Sequence, residues 1–317
     1  MRFSSILALA LSCASASPIE KRQASGALSA NDVAVLQLAL YLEHLELSLY
    51  SGGYNNFTEA QYEAAGLPFP NRENVGIIAS HEATHSSTIA AVLTANGVTP
   101  VPACTYSFPY NSPPTFYGLA DLITSTGIGA YLGGAELIMD NPALLTEAAS
   151  ILTTEARHDA YLRQGVGQSP FPMAFDTPLT ATWAYNLAQP FIVKCPQQLP
   201  IPILPRLSIA PSQAPASDVV PIALGGTLNV VWTTTSTPIT DTTPLYLALI
   251  AGSSGMPAYV PLTRTGTGAG SITLPNTLMG TFFAVLTSVS GGVNTTALTA
   301  TGTLAGPVVF AVQSAPQ

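Results

Sequence analysis

Two short stretches of the chain each carry a glutamate and a histidine three residues apart: Glu82 with His85, and Glu155 with His158. In an α-helix, positions i and i+3 lie on the same face, so each stretch would present a carboxylate and an imidazole to one point. The chain has four histidines, and two of them fall in this pattern. The repeat predicts a metal site between helices, with oxygen and nitrogen ligands.

The first stretch also spells HExxH, a motif in which two histidines bind zinc and the glutamate acts as the general base of a peptidase. The zinc ligands would then be His81 and His85, and a third ligand is required downstream. Thr88 stands where the extended motif has glycine, and His158 is the only later histidine. A zinc peptidase is therefore kept as an alternative hypothesis, although it leaves the second Glu/His stretch unused.

The elements that must position these side chains are predicted to be helices. Apolar residues at helical spacing cover residues 31–51, 71–96, 115–140 and 142–164, with a short fifth helix at 178–189. Gly52 and Gly53 are expected to end the first helix, and residues 54–70 are expected to be a loop. Residues 97–114 hold five prolines and form a long connection. Two short links around one long crossover match the ferritin-like topology.

Residues 31–165 resemble the ferritin-like superfamily, in which two helices each give a Glu and two others each give Glu-x-x-His. The stretch Leu42-Glu43-His44-Leu45-Glu46, followed by Tyr50, and the stretch Glu155-Ala156-Arg157-His158 are most similar to fungal stress-response and plant desiccation-related secreted proteins. The resemblance implies a four-helix bundle that binds iron or manganese. The residues that match its ligand pattern are Glu43, Glu82, His85, Glu155 and His158.

A sixth ligand is expected from the third helix. Counting from the helix ends places Glu82 and Glu155 level with residues 124–128, where the third helix has no carboxylate. Glu136 lies about nine residues further along, roughly 13 Å away at the rise of an α-helix. The sequence therefore predicts an incomplete site, which either holds one metal or only hydrogen-bonds its polar groups. Three residues are possible additional contributors: Glu46, Asp121 and Tyr50.

The first 22 residues are typical of a secretory leader. Arg2 gives a positive start, an apolar run follows, and Ala14-Ser15-Ala16 matches a cleavage site. Lys21-Arg22 resembles a dibasic processing site, so the mature chain is expected to begin at Gln23. A secreted, extracellular or cell-wall location follows.

Features of the predicted mature chain agree with an oxidising compartment. Cys104 and Cys195 are its two cysteines and are expected to form a disulfide. Asn56 and Asn294 begin glycosylation sequons. Six cations and 16 acidic residues remain after residue 22, a net charge of −10 that disfavours nucleic acid as a partner. No apolar run after residue 22 reaches 18 residues, so no membrane span is expected.

The composition changes after residue 195. A proline-rich linker is predicted at 196–221, and short β-rich runs separated by Gly, Pro and Ser follow in 222–317, after a helical domain at 23–195. The fold class is therefore α+β and multidomain, with an antiparallel β-sandwich, immunoglobulin-like in outline, behind the bundle. The sandwich is nearly uncharged, which suggests contact with cell-wall polysaccharide or wall proteins. Its runs are Thr227–Thr234, Leu245–Ala251, Ala258–Arg264, Ser271–Leu274, Thr281–Ser288, Val293–Thr299 and Val308–Gln313.

These observations leave three hypotheses for function. The first is a secreted ferritin-like protein with a metal site and a role in stress or nutrient response, which the resemblance implies. The second is a non-catalytic wall or protective protein that uses the bundle as a scaffold. The third is the zinc peptidase.

Overall fold

The structure, a computed structural model, describes residues 27–211 and 221–313. The predicted leader at 1–22 and residues 212–220 of the predicted linker lie outside the described residues. A helical half comes first in the chain, and antiparallel sheets follow it. The predicted α+β class is confirmed.

Four long helices dominate the first half. Helix α1 packs along α3, α4 packs along α5, and α1 also contacts α4. Over residues 27–211 and 221–313, no helix is both long enough and apolar enough to cross a membrane. The helices are α1 (Ala30–Asn56), α2 (Glu59–Ala64), α3 (Asn71–Ala95), α4 (Pro113–Ala135), α5 (Pro142–Gly165), α6 (Ala181–Ala188) and α7 (Thr295–Ala297).

Local sequence signals fix where the long helices begin. Ser29 and Asp32 form a capping box at the start of α1, in which each side chain accepts a hydrogen bond from the other residue's backbone N–H. Asn141 caps α5, and Pro142 occupies its first turn, where the missing N–H costs nothing. These caps orient the two helices that carry Glu43 and Glu155.

Two predictions about the first connection were wrong. Helix α1 continues through Gly52 and Gly53, and α2 lies within the expected loop at 54–70. The glycines serve close packing, because a Cβ at position 53 would overlap the ring of Phe116 and one at position 52 would overlap the hydroxyl of Tyr110. A capping box at Thr58 starts α2.

The predicted disulfide between Cys104 and Cys195 is present. It lies beside a short antiparallel ribbon formed by β1 (Thr105–Tyr106) and β2 (Ile192–Lys194). The bond and the ribbon tie the long crossover between α3 and α4 to the segment that follows α6. A disulfide across 91 residues removes much conformational freedom from the unfolded chain.

The second half contains two four-stranded antiparallel sheets. One has the strand order β3-β4-β8-β7 and the other β10-β9-β5-β6. The strands are β3 (Leu207–Ile209), β4 (Thr227–Trp232), β5 (Tyr246–Ile250), β6 (Ala258–Pro261), β7 (Thr263–Gly266), β8 (Ala269–Thr273), β9 (Gly280–Thr287) and β10 (Ala305–Val312).

The structure differs from the expected strands in three places. The predicted strand Ala258–Arg264 is divided at Leu262 into β6 and β7, which belong to different sheets. The predicted strand at 293–299 is instead the helical turn α7, because the Asn294 side chain accepts the backbone N–H of Ala297 and caps it. The predicted linker contains β3, which pairs with β4. The proline-rich segment also packs on α6, where Asn186 donates to the carbonyl of Pro202 and accepts from the N–H of Leu204.

Strand β9 joins the two halves. Phe282, Ala284 and Leu286 face the other sheet, whereas Phe283 and Val285 belong to the core of the helical half. A strand buried on both faces has no alternation of apolar and polar residues, which explains the irregular pattern in the sequence. The sheets are therefore part of the surface that encloses the helices.

A buried arginine strengthens this junction. The Nη1 atom of Arg163 in α5 donates to Asp121 of α4 at 2.9 Å and to the hydroxyl of Thr281 in β9 at 2.8 Å. Ser125 of α4 also donates to Thr281. Asp121, which the sequence offered as a possible metal ligand, is thus the counter-ion of Arg163.

Candidate metal centre

Three helices bring four predicted ligands together in the core of the helical half. Glu43 comes from α1, Glu82 and His85 from α3, and Glu155 from α5. One ligand atom of each lies within 4.8 Å of a ligand atom of every other, and all four residues are buried. This is the separation of groups that surround one metal ion.

The imidazole of His85 lies at the middle of this group. Its Nδ1 atom is 3.1 Å from an oxygen of Glu82, 3.1 Å from an oxygen of Glu155 and 3.3 Å from an oxygen of Glu43. The i, i+3 spacing in α3 brings His85 and Glu82 to the same face, as the sequence predicted. The three carboxylates and the imidazole define a first coordination position.

His158 defines a second position next to the first. Its Nδ1 atom is 3.2 Å from Oε1 of Glu82 and 3.3 Å from Oε2 of Glu155. His85 contacts the other oxygen of each of these two glutamates. Glu82 and Glu155 therefore each present one oxygen to His85 and the other to His158.

Glu46 supplies the carboxylate that α4 lacks. It is buried in α1 one turn beyond Glu43, and its Oε2 accepts a hydrogen bond from Thr124 of α4 at 3.3 Å. A Cβ at Gly127 of α4 would overlap Oε1 of Glu46, so the glycine makes room for this side chain. A glutamate of α1 therefore lies beside residues 124–128 of α4, where α4 itself has no carboxylate.

Two tyrosines frame the site without replacing a ligand. The hydroxyl of Tyr131 in α4 donates to Oε1 of Glu43 at 2.5 Å, which leaves the other oxygen of Glu43 to His85. Tyr50 shares a 2.6 Å hydrogen bond with Thr124, so it acts on the site through the partner of Glu46. Glu136 is exposed at the end of α4.

Tyr131 and Thr124 were not predicted to contribute to the site. Both lie on α4, and Thr124 falls within residues 124–128, where a carboxylate was expected. A search for any hydrogen-bonding side chain at i, i+3 and i+4 from that segment would have found both residues.

Unsatisfied buried oxygens show that the residues fit a metal. Oε2 of Glu43, Oε1 of Glu82 and Oε1 of Glu155 are buried and have no hydrogen-bond partner of their own within the described part of the chain. Each lies 3.1 to 3.3 Å from an imidazole Nδ1 that also faces an oxygen of another carboxylate. Each Nδ1 carries at most one hydrogen, so two imidazoles cannot satisfy this many oxygens. Buried acceptors without partners are costly, and a cation among them removes the cost. Carboxylates with imidazole are suitable ligands for iron and manganese.

The pKa values of the acidic groups reflect the same shortage of positive charge. Burial raises the pKa of Glu43 to about 8, against a hydrogen bond from His85 that lowers it. Burial raises the pKa of Glu46 well above its ordinary value, and the charges of Glu155 and Glu82 add to the shift. For Glu82, burial also acts upward, but hydrogen bonds with the two histidines bring its pKa down to about 2.

The pKa values of the two histidines are also raised, which favours their charged forms. Burial lowers the pKa of His85, but hydrogen bonds to Glu155, Glu43 and Glu82 outweigh it and raise the pKa to about 12. The same balance, with two glutamates, raises the pKa of His158 to about 9. The cluster thus holds both imidazoles as cations at neutral pH, which is the charge that a metal would replace.

The arrangement around His81 does not support a zinc peptidase. Nδ1 of His81 lies 3.0 Å from Nε2 of His158, on the outer side of that ring, and His81 is exposed. The group of potential ligands around His85 is formed with Glu43 and Glu155 rather than with His81. Glu82, the expected general base, is instead held between two imidazoles.

Comparison with known proteins agrees with the predicted resemblance. Residues 31–168 match the family model of the ferritin-like domain. Over 170 residues the chain is 30% identical to Protein rds1 of the fission yeast Schizosaccharomyces pombe. That alignment covers 53% of this chain and 40% of the relative, so the chain spans about two fifths of the curated relative that it matches. Both matches support a fungal ferritin-like protein.

Proposed function

We propose that this protein is a secreted metal-binding protein whose long helices form a ferritin-like four-helix bundle around two adjacent iron or manganese ions. The observation that carries the proposal is the position of Glu82 and Glu155, each of which offers one oxygen to His85 and the other to His158. A bound pair of such ions would supply redox chemistry between hard ligands.

These contacts assign the two histidines and the two shared glutamates. Glu46 is added because it is buried and the charges of Glu155 and Glu82 act on it. Glu43 and His85 would complete the first position, and His158 with Glu46 would complete the second, with Glu82 and Glu155 shared. Tyr131 fixes the orientation of Glu43, and Thr124 fixes that of Glu46. Hydrogen bonds from residues that do not themselves touch the metal orient its ligands and raise metal affinity.

The wider role is proposed from resemblance and composition. A function in stress or nutrient response follows from the similarity to secreted fungal proteins, and the leader at 1–22 would direct the chain to the cell exterior. The exposed positions of Asn56 and Asn294 support their use as glycosylation sites. The sheets would form an immunoglobulin-like sandwich.

The sheets also favour a second candidate function, a scaffold in the cell wall. From residue 207 onward the chain has only three charged side chains, Asp218, Asp241 and Arg264. An uncharged surface rich in Ser and Thr suits contact with polysaccharide. Under this proposal the helical half would be a support without a catalytic role.

Metal analysis of the full chain, purified from its natural secretion, separates the two functions. We expect close to two equivalents of iron or manganese per chain, whereas less than one equivalent after loading under air-free conditions would refute the metal-binding proposal. Glu155→Ala removes a ligand from both positions and should weaken binding at least 100-fold, more than loss of a residue that only hydrogen-bonds to a ligand usually does. Glu147→Ala, an exposed glutamate of the same helix, is the matched control and should bind as the unmodified protein does.

A further inference from the structure

A largely apolar cavity reaches the candidate metal centre from the surface. It has a volume of about 420 Å³ and lies between α1, α4 and the segment that follows α6. Alanine, valine, leucine and glycine residues form most of its wall. The polar residues in the lining are Gln37, Glu43, Glu46, Tyr131 and Gln197.

The cavity is long and narrow. Its mouth includes Ala34 and Leu137, which are exposed, and its floor includes Glu43 and Glu46, which are buried. Ala34 and Glu43 are nine positions apart in α1, so the distance from the mouth to the floor is about 14 Å at the rise of an α-helix. Spread over that depth, the volume leaves room for a single slender chain. Gly127, Ala130 and Gly134 leave this room on the α4 side, whereas the missing side chain of Gly133 makes room for the backbone of Leu179.

The polar groups are concentrated at the closed end. Glu43 and Glu46 offer oxygen acceptors there, and the hydroxyl of Tyr131 adjoins Glu43. An anionic head group would lose its hydration in a cavity whose described lining has no cationic side chain, and a cationic head group would compete with the metal. A neutral hydroxyl can donate a hydrogen bond to any of these oxygens.

We infer that this cavity binds a slender, neutral lipid-like molecule, a long-chain alcohol in chemical class, with its hydroxyl at Glu43, Glu46 and Tyr131 and its chain toward Ala34. The inference rests on the proposed function in one respect, since it names the class of molecule that reaches the metal centre. Binding itself depends on the apolar wall. Pockets of this size and character hold most of a small ligand's surface.

The test is calorimetric titration of the full chain with unbranched 1-alcohols of six to ten carbons, with and without manganese. Each added methylene should tighten binding about fourfold while the chain lies inside the cavity. Nonanoate should bind the manganese-free protein at least tenfold more weakly than 1-nonanol. Absence of saturable binding by any of the alcohols, or tighter binding of nonanoate, would overturn the inference.

Two substitutions locate the binding. Ala34→Trp blocks the mouth and should weaken 1-nonanol binding at least tenfold, whereas Ala91→Trp, at an exposed alanine of α3 outside the lining, should leave it unchanged. Ala130→Leu narrows the middle and should affect 1-decanol more than 1-hexanol. Equal binding by all three variants would place the ligand elsewhere.

Metal content measured on the same samples keeps the two proposals apart. Alcohol binding without manganese binding would leave this inference standing and refute the metal centre. Manganese binding without alcohol binding would do the reverse.

Discussion

The two halves of the molecule build their cores differently. In the described part of the sheet half, the buried polar side chains are threonines: Thr281, Thr287, Thr295 and Thr303. The described part of the helical half buries charged groups as well: Asp32, Glu43, Glu46, Glu82, His85, Asp121, Glu155, His158 and Arg163. Both halves bury the same kinds of apolar residue, so they differ in the charged side chains that they bury.

This difference indicates where function lies. A buried charge costs several kcal/mol unless it is paired, and an apolar replacement is often more stable. The sheet half avoids that cost, as a domain under selection for stability alone would. The helical half accepts it, most densely at the Glu/His cluster, and departures from simple core rules are expected at functional sites.

Arg163 shows that a buried charge alone does not mark the site. Its guanidinium has a carboxylate partner, Asp121, at 2.9 Å and a hydroxyl partner, Thr281, at 2.8 Å. The glutamates around His85 have oxygens without partners. Nη2 of Arg163 is also without a partner among the described residues, but it is a single donor. The candidate metal centre differs from this ion pair because several unpartnered carboxylate oxygens, all acceptors, are gathered at one place.

The comparison predicts that damage to the sheet core lowers stability and leaves metal binding intact. Phe282→Ala empties a fully enclosed site between the sheets and should lower the free energy of unfolding by about 4 kcal/mol. Ile272→Val in the same core should cost about 1 kcal/mol. Denaturant unfolding measures both, and metal analysis of the folded variants should show unchanged stoichiometry. Loss of metal from folded Phe282→Ala would show that the sheets help to form the site.

Much of this fold could be predicted from the sequence, because helical spacing and proline breaks are local. The start of α3 at Asn71 and of α5 at Pro142 followed from such signals. The continuation of α1 through Gly52 and Gly53 could not be predicted, since it depends on aromatic rings that lie some sixty residues away along the chain. Strand β9 was similarly ambiguous, because its second face is buried only by packing against the helices.

A second prediction uses the charges of the helical half. Metal ligands must lose their protons, and at pH 7 the raised pKa values of His85, His158 and Glu43 keep protons on these groups. Metal loading at pH 7 should therefore release protons. Apparent affinity should rise at least tenfold per pH unit between pH 6 and 8, because each protonated ligand gives a tenfold change per unit.

Calorimetry of metal binding in buffers of different ionisation enthalpy measures the number of protons released. Phe282→Ala is a useful control, because it leaves every ligand in place and should release the same number. Binding without proton release, or affinity that falls as pH rises, would contradict the proposed ligand set.

The site was less predictable than the fold. The i, i+3 pattern identified the Glu/His pairs of α3 and α5, and their convergence followed from the helix levels. Which helix provides the remaining carboxylate depends on side-chain direction, and Glu46 reaches the place only because Gly127 opposite has no side chain. That relation joins residues 81 positions apart in the chain, and no local pattern reveals it.

The smallest expected change in the free energy of unfolding comes from substitution of Glu46, which also tests most directly whether the site has two metal positions. Burial raises the pKa of Glu46 well above its ordinary value of 4.5, so without metal the buried group favours its neutral form. Glu46→Gln replaces a neutral acid by a neutral amide of the same shape. Below pH 4.5, where the unfolded chain also carries the neutral acid, the free energy of unfolding of the metal-free protein should therefore change by less than about 1 kcal/mol, as for other isosteric changes.

The same substitution should act on one metal equivalent and not on the other. An amide is a poorer ligand than a carboxylate, so the second equivalent should bind about tenfold more weakly while the first, at His85 and Glu43, is unchanged. A carboxyl group with a raised pKa stabilises the fold below its unfolded pKa, and this contribution is lost as pH rises through the folded pKa. Above pH 4.5 the metal-free Glu46→Gln protein should consequently lose less stability with rising pH than the unmodified one. Equal weakening of both equivalents would mean that Glu46 supports the whole cluster through Thr124, and no weakening would assign the second position to His158, Glu82 and Glu155 alone.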